Sequence, residues 1–72
     1  MDMISRRLRG VVREFDKSRG YGTIEGENGE SVFVRYSAIA GAGLRTLNTG
    51  DHVSFDIEQS HRGLSAVRVT RD

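Results

Sequence analysis

The sequence predicts an all-β fold, a small closed barrel of five short antiparallel strands. Apolar and polar residues alternate with a period of two, and helical periodicity is absent over any window longer than a turn or two. The 72 residues leave room for one domain, because so short a chain buries only about 60% of its unfolded surface. Closure into a barrel removes exposed strand edges, which are a hazard for a small all-β protein.

The first three strands are predicted at residues 10–16, 20–26 and 31–36. The first is a β-branched run with charges. The second and third flank residues 27–30, where Asn28 and Gly29 form a strong hairpin turn signal. The three strands therefore form a meander. A longer excursion follows at residues 37–48, with a single helical turn expected at residues 37–39.

Two further strands, each preceded by a glycine-containing turn, are predicted at residues 52–58 and 64–70. The fourth strand alternates cleanly, and its inward residues are Val53, Phe55 and Ile57. In the fifth strand, alternation places Val67 and Val69 inward. The same pattern places Ala66 and Arg68 outward.

Aromatic and basic side chains occupy the outward faces of the second and third strands. They are Arg19, Tyr21 and Thr23 on the second strand and Phe33 and Arg35 on the third, whereas Ile24, Val32 and Val34 fall in the core. Unpaired nucleobases stack on exposed rings and arginine contacts phosphate, so the pattern predicts a platform for single-stranded nucleic acid. A structural alternative is that Tyr21 and Phe33 form a cross-strand pair that only stabilises the hairpin.

The net charge of +1 does not by itself indicate a polyanionic partner, since 11 basic residues are nearly matched by 10 acidic ones. The distribution is more informative, because basic residues are concentrated in the first third of the chain. Ten of the eleven basic residues are arginine, which suits phosphate contact, although genomic codon bias gives the same count. Residues 1–9 are expected to be a basic lead-in, which either extends the basic path or is simply solvated.

Several other classes of protein are disfavoured. The chain has no cysteine, which excludes disulfides and thiolate metal sites and fits an intracellular compartment. No apolar run is long enough to span a membrane, so we expect a cytoplasmic protein without a membrane partner. His52 and His61 lack a clear partner for a metal site, and the glycines at positions 20, 22 and 26 do not match a dinucleotide fingerprint. We expect no enzyme activity, no metal and no cofactor.

The order of motifs along residues 10–70 resembles the bacterial cold-shock domain. Residues 19–24 match that family's first ribonucleoprotein motif, usually Lys-Gly-Phe-Gly-Phe-Ile, and residues 32–36 match its second, usually Val-Phe-Val-His-Phe. A Ser-Ala-Ile sequence and a Gly-Asp pair follow in the family's order. The resemblance implies a five-stranded antiparallel OB-fold barrel at residues 10–72 that binds single-stranded RNA and DNA. It also implies roles as an RNA chaperone or a regulator of transcription or translation.

Four positions depart from the ring pattern of the resembled family. The tryptophan usual in the first strand is Glu14, the second phenylalanine of the first motif is Thr23, the histidine of the second motif is Arg35, and a loop phenylalanine is Leu44. Stacking contributes roughly 1 to 3 kcal/mol per base, so losing three or four rings predicts weaker binding by several kcal/mol. Arginine at position 35 recovers part of this through stacking and phosphate contact.

The matching positions define the predicted binding residues. They are Tyr21, Phe33 and Tyr36, with Phe15 at the edge, and Arg13, Arg19, Arg35 and Arg62 for the backbone of the nucleic acid. By strict alternation Tyr36 is inward, so it reaches the platform only if the third strand ends or twists there.

The leading hypothesis is a non-catalytic, monomeric binder of single-stranded nucleic acid with weakened base stacking. The alternative is a cold-shock fold turned to protein recognition, with a face reshaped by Glu14, Thr23 and Leu44 to bind a regulatory partner.

Overall fold

A computed structural model describes residues 7–40 and 46–72. Its elements in chain order are β1 (Leu8–Asp16), β2 (Tyr21–Gly26), β3 (Ser31–Arg35), a 3-10 turn (Tyr36–Ala38), β4 (His52–Ser60) and β5 (Gly63–Arg71). All five predicted strands are confirmed, with ends that differ by at most two residues. The predicted turn between β2 and β3 is also present, and Gly29 adopts there a φ of 86°, which glycine accommodates without strain.

The five strands close into a barrel in the order β1-β2-β3-β5-β4. All neighbouring pairs are antiparallel except β3 and β5, which pair in parallel where Phe33 lies opposite Ser65. A closed ring with an odd number of strands cannot alternate direction all the way round, so one neighbouring pair must be parallel. The predicted barrel is thus confirmed, with this one parallel seam. No helix in residues 7–40 and 46–72 has the length and apolar character to cross a membrane.

The interior of the barrel is filled by apolar side chains from all five strands and from the segments that flank the strands. These buried residues are Val12, Ile24, Val32, Val34, Ile39, Leu47, Val53, Phe55, Ala66 and Val69. The inward positions predicted for β2 and β3 are confirmed. Of the predicted inward residues of β4, Val53 and Phe55 are fully buried and Ile57 packs against the core while partly exposed. Phe55 is the largest fully buried side chain and supplies the only ring among these ten residues.

The predicted alternation in β5 is wrong for one pair of residues. Ala66 is buried and Val67 is only partly buried, the reverse of the prediction. The cause is a β-bulge. Val67 pairs with Asp56 and Thr70 with Ser54, so β5 has one more residue between the two pairs than β4 has. Arg68 lies in the bulge with a positive φ of 51°, and the extra residue exchanges the faces of the strand before it.

A second irregularity lies in β1. Val12 is paired with Ile24 and Glu14 with Thr23, so Arg13 is an extra residue on β1. Just beyond it, β1 and β2 approach so closely that a Cβ atom at Gly22 would collide with the carbonyl oxygen of Glu14. The bulge keeps Glu14 and Thr23 side by side on the outer face.

Arg7, which directly precedes β1, forms hydrogen bonds to β4 and to the bulge in β5. Its Nη2 donates to the carbonyl oxygen of Arg68 at 2.7 Å and to that of Ser54 at 3.0 Å, and its Nη1 donates to Asp56 Oδ2 at 3.1 Å. Arg68 Nε also donates to Asp56 Oδ2, at 2.7 Å. The hydrogen bond from Arg68, aided by attraction to both arginines, lowers the pKa of Asp56 below its ordinary value of 3.8.

We predict that the free energy of unfolding declines as the pH falls below about 3.8, and that Asp56→Asn makes this decline shallower. The lowered pKa of Asp56 means that the unfolded chain binds more protons in this range. The contribution of Asp56 is therefore complete above the ordinary value and is lost as the pH falls through the lower folded-state pKa. Urea unfolding from neutral pH to about pH 2 measures the effect.

Glu58→Gln, on the exposed end of the same strand, is the matched control and should leave the decline nearly unchanged. The decline should persist in part in Asp56→Asn, because a hydrogen bond from the Ser18 hydroxyl also lowers the pKa of Asp16. Parallel pH profiles for Asp56→Asn and the wild type would contradict the assignment.

Candidate nucleic-acid interface

Strand register gathers the outward side chains of β1, β2 and β3 into transverse rows. One row runs through Glu14, Thr23 and Phe33, and it continues to Ser65 across the parallel seam. The next row runs through Asp16, Tyr21 and Arg35. The face formed by Glu14, Tyr21, Thr23, Phe33 and Arg35 is called the platform below.

Two rings and one guanidinium group lie at the centre of the platform. The ring centroids of Tyr21 and Phe33 are 5.7 Å apart with planes tilted by 36°, so the predicted cross-strand contact exists. Arg35 places its Cζ 5.4 Å from the Phe33 ring centroid, a cation–π distance. Tyr21 nevertheless remains 39% exposed and Phe33 is half-buried. The pair thus stabilises the hairpin while leaving aromatic surface for a ligand.

Phe15 and Tyr36 lie together beside the platform. Tyr36 is 54% exposed, because β3 ends at Arg35 and the 3-10 turn that follows redirects the side chain. Phe15 is half-buried against the edge of the core. Both rings line a depression shared with Lys17 and Arg19. Strict alternation predicted that Tyr36 reaches the surface only if β3 ends or twists at that point, and β3 does end there.

Of the four predicted arginines, Arg35 belongs to the platform and the other three lie around it, and two of these, Arg13 and Arg19, already have polar or acidic neighbours. Arg13 pairs with Glu25 at 2.7 Å, and Arg19 donates to the Tyr21 hydroxyl at 3.3 Å and lies 3.7 Å from Asp16. These contacts are exposed, and exposed ion pairs contribute typically less than about 1 kcal/mol. The arginines can therefore exchange such contacts for phosphate at little cost.

Arg62 lies in the turn between β4 and β5 and reaches the platform from the far side of the seam. It lines a depression together with Phe33, Arg35 and Ser65. Sequence reasoning placed Arg62 among the binding residues but missed Ser65. No local pattern could have revealed Ser65, because its place beside Phe33 depends on the parallel pairing of β3 and β5.

Two sequence-based expectations lie outside the described residues. One is the replacement of a loop ring by Leu44, and the other concerns most of the basic lead-in, namely residues 1–6. Of that lead-in, Arg7 contacts β4 and β5, and β1 begins at Leu8.

A closed five-stranded barrel with an exposed aromatic and basic face defines an OB-fold of the nucleic-acid-binding class. The family model described as "'Cold-shock' DNA-binding domain" matches residues 8–72. The chain therefore belongs to the cold-shock domain family, whose proteins are non-catalytic binders of single-stranded nucleic acid. The resemblance inferred from the two ribonucleoprotein motifs is confirmed.

Similar proteins of the family span nearly the same length. The chain is 47% identical over 62 residues to cold shock protein CspC of Bacillus subtilis, covering 86% of this chain and 94% of that protein. It is 48% identical over 63 residues to cold shock protein CspB of Bacillus caldolyticus, covering 88% and 96%.

A solved structure, Drosophila Unr CSD456, superposes with a TM-score of 0.76 and covers 94% of this chain and 27% of that one. At 17% sequence identity this likeness shows the fold alone.

We predict that Tyr21 and Phe33 are energetically coupled in the folded protein. A double-mutant cycle with Tyr21→Leu and Phe33→Leu should give a coupling free energy of about 0.5 to 1.5 kcal/mol, the range for tilted aromatic pairs. Urea unfolding of the four proteins measures it. A cycle between Tyr21→Leu and Thr70→Ala, at the far end of β5, should be additive. Additivity of the first cycle would show that the rings do not stabilise each other.

Proposed function

We propose that the platform binds single-stranded RNA or DNA with fewer stacking contacts, and more dependence on arginine, than a cold-shock domain with a full set of rings. The observation that carries this proposal is the exposed Tyr21–Phe33 pair with Arg35 over the Phe33 ring. Such a surface can stack two or three bases while arginines at its border contact phosphates.

The reduced stacking follows from the platform's composition. Glu14 and Thr23 occupy outward positions in the same row as Phe33, and neither has a ring. Each missing stacked base lowers the binding free energy by roughly 1 to 3 kcal/mol. Compared with a row that carries rings at both positions, this row therefore lacks about as much stacking free energy as the Tyr21–Phe33 pair supplies.

Weak binding is compatible with transient contact to many strands. We propose that the protein acts on RNA in the cytoplasm, as a chaperone that limits RNA secondary structure or as a regulator of transcription or translation. A monomer is sufficient for this activity, because the platform is formed within one chain.

The first test is binding of labelled single-stranded oligonucleotides, measured by fluorescence anisotropy. At low salt, single strands should bind better than duplex, and the affinity should fall as salt is added because phosphate contacts release counterions. No anisotropy change with either RNA or DNA at micromolar protein would refute the proposal. A stoichiometric protein partner retained after nuclease treatment would then favour the protein-recognition alternative.

Phe33→Ala should weaken binding about 5- to 150-fold, the loss of one stacked base, and leave the fold intact. Its side chain lies on the outer face, so circular dichroism should still show the folded barrel, whereas the thermal midpoint should fall by several degrees because the contacts with Tyr21 and Arg35 are lost. Leu8→Ala removes an exposed apolar side chain away from the platform and should bind like the wild type. Unchanged binding of Phe33→Ala would assign Phe33 to a structural role only.

Adding rings at positions 14 and 23 should reverse the loss of binding affinity. Glu14→Trp and Thr23→Phe should each strengthen binding, by up to about 150-fold, because each adds a surface on which a base stacks. Glu14→Gln separates the effect of charge from that of the ring, since it removes the charge alone. If neither ring strengthened binding beyond Glu14→Gln, the account of lost stacking would be wrong.

A further inference from the structure

A depression in the platform combines aromatic walls with hydrogen-bond acceptors. It lies between β1 and β3, has a volume of about 510 Å³, and is bordered by the rings of Tyr21 and Phe33 and by Glu14 and Thr23. Sites for small organic ligands have volumes of roughly 300 to 1,000 Å³. The depression therefore has the size and the aromatic surface for a nucleobase.

The carboxylate of Glu14 borders this depression, and no side-chain hydrogen bond formed within residues 7–40 and 46–72 includes it. Its neighbour in sequence, Arg13, pairs with Glu25 instead, and none of the ion pairs formed within residues 7–40 and 46–72 includes Glu14. Asp16, which also borders the depression, accepts hydrogen bonds from Ser18 and from the backbone of Arg19. Glu14 thus offers two acceptor oxygens to whatever enters.

Register places this carboxylate where it can meet the edge of a stacked base. Glu14, Thr23 and Phe33 occupy one row on three neighbouring strands, so Glu14 and Phe33 are about 10 Å apart at the backbone. A purine stacked on the rings can extend across the small side chain of Thr23 toward β1. A ring at position 23 would occupy that path.

Bases differ in what their unpaired Watson–Crick edges offer a carboxylate. Guanine presents two adjacent donors, N1–H and the N2 amino group, which match the two oxygens of a carboxylate. Adenine and cytosine each present an amino donor next to an acceptor, and uracil and thymine present one N–H between two carbonyl oxygens. Only guanine can donate to both oxygens without bringing an acceptor against the negative charge.

We propose that this depression is a guanine-selective subsite, in which Glu14 accepts hydrogen bonds from N1–H and the N2 amino group of a guanine stacked on Tyr21 and Phe33. This inference rests on the proposed function, because it names the base that the platform prefers. Arg19 and Arg62 lie toward the border of the face, where phosphates would be held away from the Glu14 carboxylate. In this proposal the platform has lower affinity for single strands in general and a preference for guanine.

The test uses short oligothymidines with one central guanine, inosine or thymine, because a single guanine avoids self-association. Inosine keeps N1–H and lacks only the N2 amino group. We expect the wild type to bind the guanine strand about tenfold more tightly than the inosine strand, the loss of one charge-assisted hydrogen bond. In Glu14→Gln this ratio should fall below about twofold, because a side-chain amide offers one acceptor oxygen and opposes the second donor.

Glu27→Gln is the matched control. It removes the same charge from the exposed turn between β2 and β3, so it should leave the ratio of guanine to inosine affinity unchanged. A wild-type ratio near one would overturn the guanine subsite and leave the proposed function standing. A preference for guanine that survives in Glu14→Gln would overturn the role of Glu14. Failure to bind any of the strands at low salt would overturn both proposals.

Discussion

The barrel closes because β1 pairs with β2 along one edge and with β4 along the other. A strand that pairs with two neighbours in this way, and so completes the closed sheet, must bend strongly. The structure provides this bend through the bulge at Arg13 and through the close approach of β1 to Gly22, where a Cβ atom cannot fit. The same bend aligns Glu14 with Thr23 and Phe33, so the geometry of closure also determines which side chains share the platform.

The core and the platform are opposite faces of the same three strands. Inward aliphatic residues such as Ile24, Val32 and Val34 are fully buried and fill the barrel without the rings of Tyr21 and Phe33. Exposed aromatic surface is unfavourable in water, although contact between Tyr21 and Phe33 offsets part of this cost. The proposed nucleic-acid ligand would cover the exposed parts of these rings, and the positive charges of Arg35 and Arg62 suit its phosphates.

Family membership and binding character depend on different residues. Relatives 47% and 48% identical to this chain cover almost its whole length, which secures the fold and the general class of ligand. The proposed character of the platform depends on a few outward side chains, and at Glu14 and Thr23 the platform carries polar groups and no ring. Substitutions at outward positions can change what a shared fold binds without disturbing the core, because inward side chains form the core.

The sequence by itself determined the five strands, most of the inward positions and the aromatic and basic face. Alternation and turn residues act locally, so Gly29 marks the hairpin and the order of residues 19–24 and 32–36 identifies the family. Only the tertiary structure decided the contacts between strands distant in the chain. The bulge at Arg68, bound by Arg7, exchanges the faces of Ala66 and Val67.

The parallel seam brings Ser65 beside Phe33, and the end of β3 turns Tyr36 to the surface. The seam depends on pairing between β3 and β5, which are distant in the chain, and the exposure of Tyr36 depends on where β3 ends, a boundary that alternation alone did not predict.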